Sequence, residues 1–445
     1  MIRANKRRIG GWLPSNPEVL RKWVANLLAK PVAEPSDYVQ PIQDLQNLVA
    51  STFSLNASTQ AMFTEAYIYD PNDPTGAPAL TSWPQFLGVL NNIMSTAPEF
   101  IVDSHGDAQG LVGFPINAVL DWPMGTTAGY SVFSSDLFNR QLQKVLQYWG
   151  QFLTTEASRY VLAYGTPDTD PPSIAWLSPQ AKQQIVAVAC QPSNNPDCKN
   201  YTFEDIFQVP DPYDPVYLGF TSWDQFFVRE FQPGIRPLGD TVLVNACESA
   251  PLQYNTGVKL SDQFWLKGQP YSLENMLNFD PLTSQFDGGS VYQAFLSALS
   301  YHRWHSPVDG VIKQAFVVNG AYYLENMAEG VNSPDPDLSA PNASQPFITS
   351  VATRAVIFIE ANDPSIGLMA FVAVGMAEVS SSEITVNVGD TVSRGDQLGM
   401  FHFGGSTHCL VFRPGVSLSF QVPVTNQPNL DATNVAVNAN LASVG

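Results

Sequence analysis

The sequence predicts an α+β protein, with a helical N-terminal domain followed by a β-rich C-terminal one. Three observations carry that expectation. Apolar residues recur at helical spacing from residue 13 to about residue 190. Residues 190–215 then turn rich in Pro, Asn and Asp. Beyond them, short β-type runs alternate with Gly, Pro, Asn and Asp. The chain has 445 residues, long for one typical domain. At 44% hydrophobic and 11% aromatic residues it has the material for a large core. The expected domains are 13–195 and 215–445.

A first helix is predicted over 13–30, with Ser15 as cap, Pro17 in the first turn, and Val19, Leu20, Trp23, Val24, Leu27 and Leu28 as one apolar stripe. Ile42, Leu45, Leu48 and Val49 form a second stripe. A third follows Ser82-Trp83-Pro84 through Phe86, Leu87, Leu90, Ile93 and Met94. The longest runs from about Ser134 to Leu153, with Leu137, Phe138, Leu142, Val145, Leu146, Trp149 and Phe152. Ser178-Pro179 opens one more, through Ile185 and Val188. No catalytic constellation falls in this half. Its one histidine, His105, reads as a loop or core residue.

In the second half, strands are predicted at Thr241–Val244, Val311–Val318, Ala355–Glu360, Gly367–Gly375 and Ser417–Val422. The stretch from Val386 to Gly399 reads as strand, tight turn, strand, and resembles the hairpins of biotinyl and lipoyl carriers. It has no lysine where such carriers present theirs, which argues against a carrier role.

Net charge is −19, which argues against nucleic acid and anionic lipid as partners. No run approaches the ~18–20 apolar residues of a membrane span. The basic N-terminus, with Arg3, Lys6, Arg7 and Arg8, is followed by no apolar signal core, so a cytoplasmic protein is expected. Sequons at Asn56, Asn200 and Asn342 then carry little weight. In that compartment Cys190, Cys198, Cys247 and Cys409 are expected as free thiols.

The chemistry concentrates near the C-terminus, in Phe401-His402-Phe403-Gly404-Gly405-Ser406-Thr407-His408. Glycine frees the backbone and leaves its carbonyl open to attack. The hydroxyl of Ser406 is within reach of the Gly405 carbonyl carbon, so a strained Gly-Ser bond there could rearrange from amide to ester. β-Elimination and hydrolysis would leave a pyruvoyl group, a carbonyl that takes an amine as a Schiff base and serves as an electron sink. Gly-Gly-Ser-Thr is also an ordinary turn.

Four stretches, taken in order, resemble the phosphatidylserine decarboxylase proenzymes. They are Phe220 to Pro237, which reads as an aromatic-faced helix capped by Thr221 or Ser222 and stopped by Pro233-Gly234; Leu266-Lys267-Gly268-Gln269-Pro270-Tyr271-Ser272-Leu273; Tyr301-His302-Arg303-Trp304-His305-Ser306-Pro307-Val308-Asp309-Gly310; and Gly395 to Thr407. The resemblance covers about residues 215–425, and its order persuades more than any one motif. The histidine motif, the run from Gly399 to Ser406 and Ala246-Cys247-Glu248-Ser249 resemble one branch in particular. That branch is the soluble pyruvoyl-dependent L-tryptophan decarboxylases of psilocybin biosynthesis, which also have a helical N-terminal domain of about this size.

The resemblance implies a self-cleaving zymogen split between Gly405 and Ser406. It gives a β chain of 1–405, an α chain of 406–445 and a covalent pyruvoyl cofactor made from Ser406 beside Gly404 and Gly405. It implies a lyase that decarboxylates a soluble aromatic amino acid, tryptophan first, with phosphatidylserine as the alternative substrate. A ligand-binding relative that never cleaves is a further alternative. The resemblance makes His305 the base for Ser406. The family's aspartate has no counterpart in Asn245-Ala246-Cys247-Glu248-Ser249, where Glu248 is the candidate acid and the alignment could slip onto Cys247. His302, His305 and His408 are candidates to reprotonate the product. The expected partners are the amino-acid substrate and the protein's own two chains. Whether the N-terminal domain gates a pocket or builds a homo-oligomer stays open. The duller readings are His302 and His305 packing a core, the histidines joining His402 in a zinc site, Glu248 in a surface ion pair, and Cys409 and Trp304 in the core.

Overall fold

The computed structural model describes residues 12–14, 17–69, 80–102, 108–163, 175–192, 197–261, 271–327, 344–378, 380–403, 407–429 and 431–445. Among them no helix is long and apolar enough to cross a membrane. The chain forms two compact units, one of Met1–Ala181, Pro215–Gln225 and Gly320–Ile348, the other of Lys182–Asp214, Phe226–Asn319 and Thr349–Gly445.

The first unit holds α1 (Pro17–Leu28), α2 (Gln40–Ser51), α3 (Phe53–Tyr69), α4 (Trp83–Ile93), β1 (Glu99–Val102), β2 (Ala108–Val112), α5 (Asn117–Met124), α6 (Thr127–Phe133) and α7 (Asp136–Leu153). The apolar stripes do build its core: Leu20 and Val24 of α1, Ile42, Leu45 and Val49 of α2, and Phe86, Leu87, Leu90 and Ile93 of α4 are buried. Side-chain caps set the helix starts. Ser82 accepts from the Gln85 amide and Ser135 from the Phe138 amide. Leu137 departs from its predicted stripe and is 57% exposed. The expected cap Ser15 and His105 lie outside the described residues. The antiparallel pair β1–β2 was not predicted; each strand is too short to show a clear alternation.

Next in the chain come α8 (Pro179–Cys190), α9 (Phe203–Ile206) and α10 (Trp223–Phe227). Ser178 caps the start of α8 and Ser222, one of the two expected caps, the start of α10. Cys190 and Cys198 form a disulfide, correcting the expectation of free thiols at both positions. Seven residues of Pro/Asn-rich sequence separate the two cysteines, whose Cα atoms lie 5.7 Å apart. Cys247 and Cys409 are free and buried.

The second unit is antiparallel. Its strands are β3 (Leu243–Val244), β4 (Ala250–Thr256), β5 (Ser290–Phe295), β6 (Arg303–His305), β7 (Gly310–Val318), β8 (Arg354–Ala361), β9 (Leu368–Val374), β10 (Ser381–Ile384), β11 (Thr391–Val392), β12 (Gln397–His402), β13 (Thr407–Phe412), β14 (Leu418–Phe420) and β15 (Asn440–Val444), with α11 at Leu273–Met276; α12 is Gln345–Val351. A seven-stranded sheet runs β11-β7-β8-β9-β13-β5-β4, and two three-stranded sheets run β10-β12-β6 and β14-β15-β3. All of β5, β9 and β13 is buried, so these strands show no in–out alternation in sequence. Trp304, Phe371, Phe401, Leu410 and Phe412 belong to the main core of this unit.

The expected hairpin over 386–399 is not one. β11 pairs with β7, and β12 pairs with β10 and β6. Two turns divide that stretch, with Asp390 taking the Asn387 amide, Asp396 taking the Ser393 amide, and Gly389 and Gly395 at φ 94° and 86°.

Candidate active site

The histidine motif lies on and before β6. His305 sits at the end of that strand, and its backbone N–H donates to the Ala246 carbonyl at 2.8 Å. Its ring Nδ1 lies 2.7 Å from the Gly395 carbonyl oxygen, and Nε2 lies 3.0 Å from the Tyr301 hydroxyl. A carbonyl only accepts, so Nδ1 carries the hydrogen and the neutral ring keeps its lone pair on Nε2. Gly395 is in the left-handed region, which brings its carbonyl onto the ring. Burial holds His305 below the usual histidine range, partly opposed by the Gly395 hydrogen bond and helped by the Arg303 charge. At neutral pH the ring is thus a base. Burial also pushes the Tyr301 phenol up, so it keeps its proton. Tyr301 stacks on Phe231 and His305, with ring centroids 4.5 and 5.7 Å apart.

Arg303 ties this strand down through the Val228 carbonyl at 2.8 Å and Gln397 Oε1 at 2.7 Å. His302, fully buried, stacks on Phe227 at 4.0 Å. Burial and the nearby Arg229 charge hold it well below the usual range, against a hydrogen bond with the Ser297 backbone.

His408 occupies a different environment. It lies in the middle of the seven-stranded sheet, opposite Ala294 of β5 and Ala373 of β9. Tyr292 and Phe371 flank its ring at 6.0 and 5.9 Å. Among the described residues neither ring nitrogen has a hydrogen-bond partner, and burial drives its pKa to about 3. His402, by contrast, pairs with Glu383 at 2.8 Å. Among the described residues no three His, Cys, Asp or Glu side chains gather as metal ligands.

The stretch with Glu248 does come beside His305, but through the backbone of Ala246. The Glu248 carboxylate itself is taken by Arg236, with Nε to Oε2 at 2.9 Å and Nη2 to Oε1 at 2.6 Å. Asn434 Nδ2 and the Val437 amide complete its shell at 3.2 and 2.9 Å. The orienting contact expected from Glu248 to His305 is replaced by the Gly395 carbonyl. Nor is the ion pair on the surface, since Glu248 is 1% exposed. Cys247, the alternative acid, lies in the apolar core, where burial and the Glu248 charge push its thiol well up. Trp304 and Cys409 are core residues.

Gly404, Gly405 and Ser406 lie outside the described residues, as do Leu266 to Pro270. Their flanks are described. Phe403 holds φ 66°, a left-handed conformation unusual for a bulky residue. Thr407 is locked into β13 between Phe295 and Val374. Sequence reasoning missed Tyr301, Arg236 and Gly395 as working groups. All three sit inside stretches already singled out, but the role of Gly395 rests on its backbone carbonyl, which leaves no trace in side-chain chemistry.

A family model described as phosphatidylserine decarboxylase matches residues 223–435, and a second of the same description matches 39–185. The decarboxylase iboD of Amanita muscaria is 41% identical over 75% of this chain and 94% of its own length. The chain belongs to the phosphatidylserine decarboxylase family. Within that family, the L-tryptophan decarboxylase of Psilocybe cyanescens is 33% identical over 91% of this chain and 88% of its own. Phosphatidylserine decarboxylase proenzyme 3 of Schizosaccharomyces pombe is 31% identical over 45% of this chain and 19% of its own. The protein is thus an α+β carboxy-lyase.

Proposed function

We propose that this protein is a self-processing pyruvoyl-dependent decarboxylase of a soluble aromatic L-amino acid, tryptophan first, acting in the cytoplasm. The observation that carries the reading is His305, a neutral base of fixed tautomer in a chain with Gly405-Ser406 at the family's processing position. Length supports the substrate class. The tryptophan decarboxylase matches 91% of this chain, whereas the matched phosphatidylserine decarboxylase proenzyme covers 45%.

In this reading the Ser406 hydroxyl displaces that of Tyr301 at His305 Nε2, which takes its proton. The oxygen attacks the Gly405 carbonyl carbon, turning the amide into an ester. Elimination of the Gly405 carboxylate ends the β chain at 405, and hydrolysis of the residue left at 406 releases ammonia. The surroundings fit such a group. Phe403 already holds the approaching backbone in a left-handed bend, and β13 anchors the residue that follows. A pyruvoyl group at position 406 would supply a carbonyl for the substrate amine and an electron sink for loss of carbon dioxide. His302, His305 and His408 were the candidates to return a proton to the α-carbon. Of these His305 is hydrogen-bonded at Nε2 to a group that carries a proton, the Tyr301 hydroxyl, so a proton can pass through that pair, while the apolar setting of His408 favours a packing role.

Intact mass spectrometry under denaturing conditions tests the reading. The expected result is two chains of 405 and 40 residues, the smaller beginning with a carbonyl that borohydride reduces, and release of carbon dioxide from tryptophan, tyrosine or phenylalanine. Carbon dioxide from phosphatidylserine vesicles alone would move the substrate to the phospholipid. An intact chain after prolonged incubation would overturn self-processing and leave the ligand-binding reading.

A further inference from the structure

Strand β13 presents His408 and Leu410 to the apolar core and, by alternation, Thr407 to the other face of the sheet. Behind Thr407 runs a line of buried polar side chains. Gln253 Nε2 donates to the Tyr271 hydroxyl at 2.6 Å, and that hydroxyl donates to Gln293 Oε1 at 2.6 Å. Gln293 Nε2 donates to Thr407 Oγ1 at 3.1 Å, and the Thr407 hydroxyl donates to the Ala294 carbonyl at 3.0 Å. The direction of every bond is fixed, because the amide NH₂ groups only donate and the carbonyl oxygens only accept. Burial pushes the Tyr271 phenol far up, so its proton stays in the line.

This line crosses three adjacent strands, β4, β5 and β13, at positions where an apolar side chain would pack without any polar satisfaction to arrange. What it adds over apolar packing is direction. It reaches β13 at one residue, Thr407, whose rotamer it fixes through the hydroxyl. The Thr407 nitrogen is the atom bonded to residue 406.

We propose that Gln253, Tyr271 and Gln293 are positioning residues that act through Thr407. They hold the 406–407 peptide in the orientation that self-processing requires and that residue 406 keeps afterwards. The inference rests on the processing reading above. It assigns these three side chains no contact with substrate.

The experiment compares wild type with Tyr271→Phe, Thr407→Val and Thr407→Ser. Each full chain is followed by intact mass for the rate of cleavage, by steady-state kinetics on its cleaved fraction, and by thermal unfolding. Tyr271→Phe and Thr407→Val should mature at least about tenfold more slowly, since a slight misplacement of reacting groups costs that much or more. Their cleaved fractions should lose kcat with KM within about twofold. Thr407→Ser, which keeps the hydroxyl, should restore both. Should Thr407→Val fail to fold, Tyr271→Phe decides, as it removes a single oxygen. Wild-type maturation rates and kcat in Tyr271→Phe, beside a lowered melting temperature, would overturn the inference alone. A wild-type chain that never cleaves would overturn the processing reading and the inference with it.

Discussion

His305 and His408 are the same residue type in one antiparallel unit, and their surroundings make them opposites. His305, half-buried at the end of β6, has both ring nitrogens engaged, one by a carbonyl and one by a phenol. His408, fully buried in β13, lies between two aromatic rings with neither nitrogen engaged by a described residue. Both are held below the ordinary histidine range, and in both the first cause is lost solvation. The difference lies in what opposes that loss. A hydrogen bond from Nδ1–H to Gly395 favours the protonated ring of His305 and limits its shift. Nothing comparable supports a charged His408, whose pKa falls to about 3. A lowered pKa alone therefore does not tell the two rings apart; the hydrogen bonds made to each do.

Replacing His305 tests that contrast with the largest expected effect. His305→Ala removes the proposed base and should slow maturation by roughly 10²–10⁴-fold, the usual contribution of a positioned base. The 405-residue and 40-residue fragments would be absent from the mass spectrum while the chain stays folded. Cleavage at the wild-type rate would remove His305 from the processing step and leave the two histidines equivalent.

Glu248→Gln sharpens the comparison by asking what orients His305. If Glu248 did so, its loss would stop maturation as His305→Ala does. The geometry gives it a different task. Its carboxylate joins Arg236, from the predicted β chain, to Asn434 and Val437, from the predicted α chain. Removing one partner of a buried ion pair leaves the other charge stranded and costs about 3–5 kcal/mol. The expected outcome is a matching loss in urea-unfolding free energy, with maturation continuing in the folded fraction.

These two residues also show how far the sequence was legible. Helices α1, α2, α4 and α7 announce themselves because one face of each is wet, so their apolar residues recur at helical spacing, as in Ile42, Leu45 and Val49; α3, α5 and α6 were not predicted, and α5 is buried nearly all round, which erases the period. Strands β5, β9 and β13 are dry on both faces and show no period of two; β9 was found by its run of apolar residues, while β5 and β13 were not. The histidine motif was legible because it recurs as a block across a family. Its partners were not. Arg236 meets Glu248 across 12 residues and Gly395 meets His305 across 90, pairings that only the folded chain creates. The Cys190–Cys198 disulfide escaped for another reason: two cysteines at that spacing fit a free pair as well as a bridge, and a cytoplasmic compartment favours free thiols.

His408→Leu has the smallest effect and tests the silent half of the comparison. The folded ring takes up a proton only near pH 3, whereas an unfolded histidine does so near its ordinary value of 6.5. Between these limits the unfolded chain binds the extra proton, so the stability tied to this group is full above pH 6.5 and is lost as pH falls. One such group costs about 2 kcal/mol between pH 6.5 and 5. His302 and His305 are shifted the same way and add to the slope. Leucine removes the contribution of His408 and relieves two buried nitrogens of their lost hydration. Urea titrations at pH 7 and pH 5 should show the variant at least as stable as wild type at pH 7. At pH 5 it should have lost about 2 kcal/mol less than wild type. Maturation should proceed in the variant, since the ring that moves the proton in this scheme is His305. An unchanged pH slope would mean that His408 is hydrated in solution, and the contrast between the two histidines would fall.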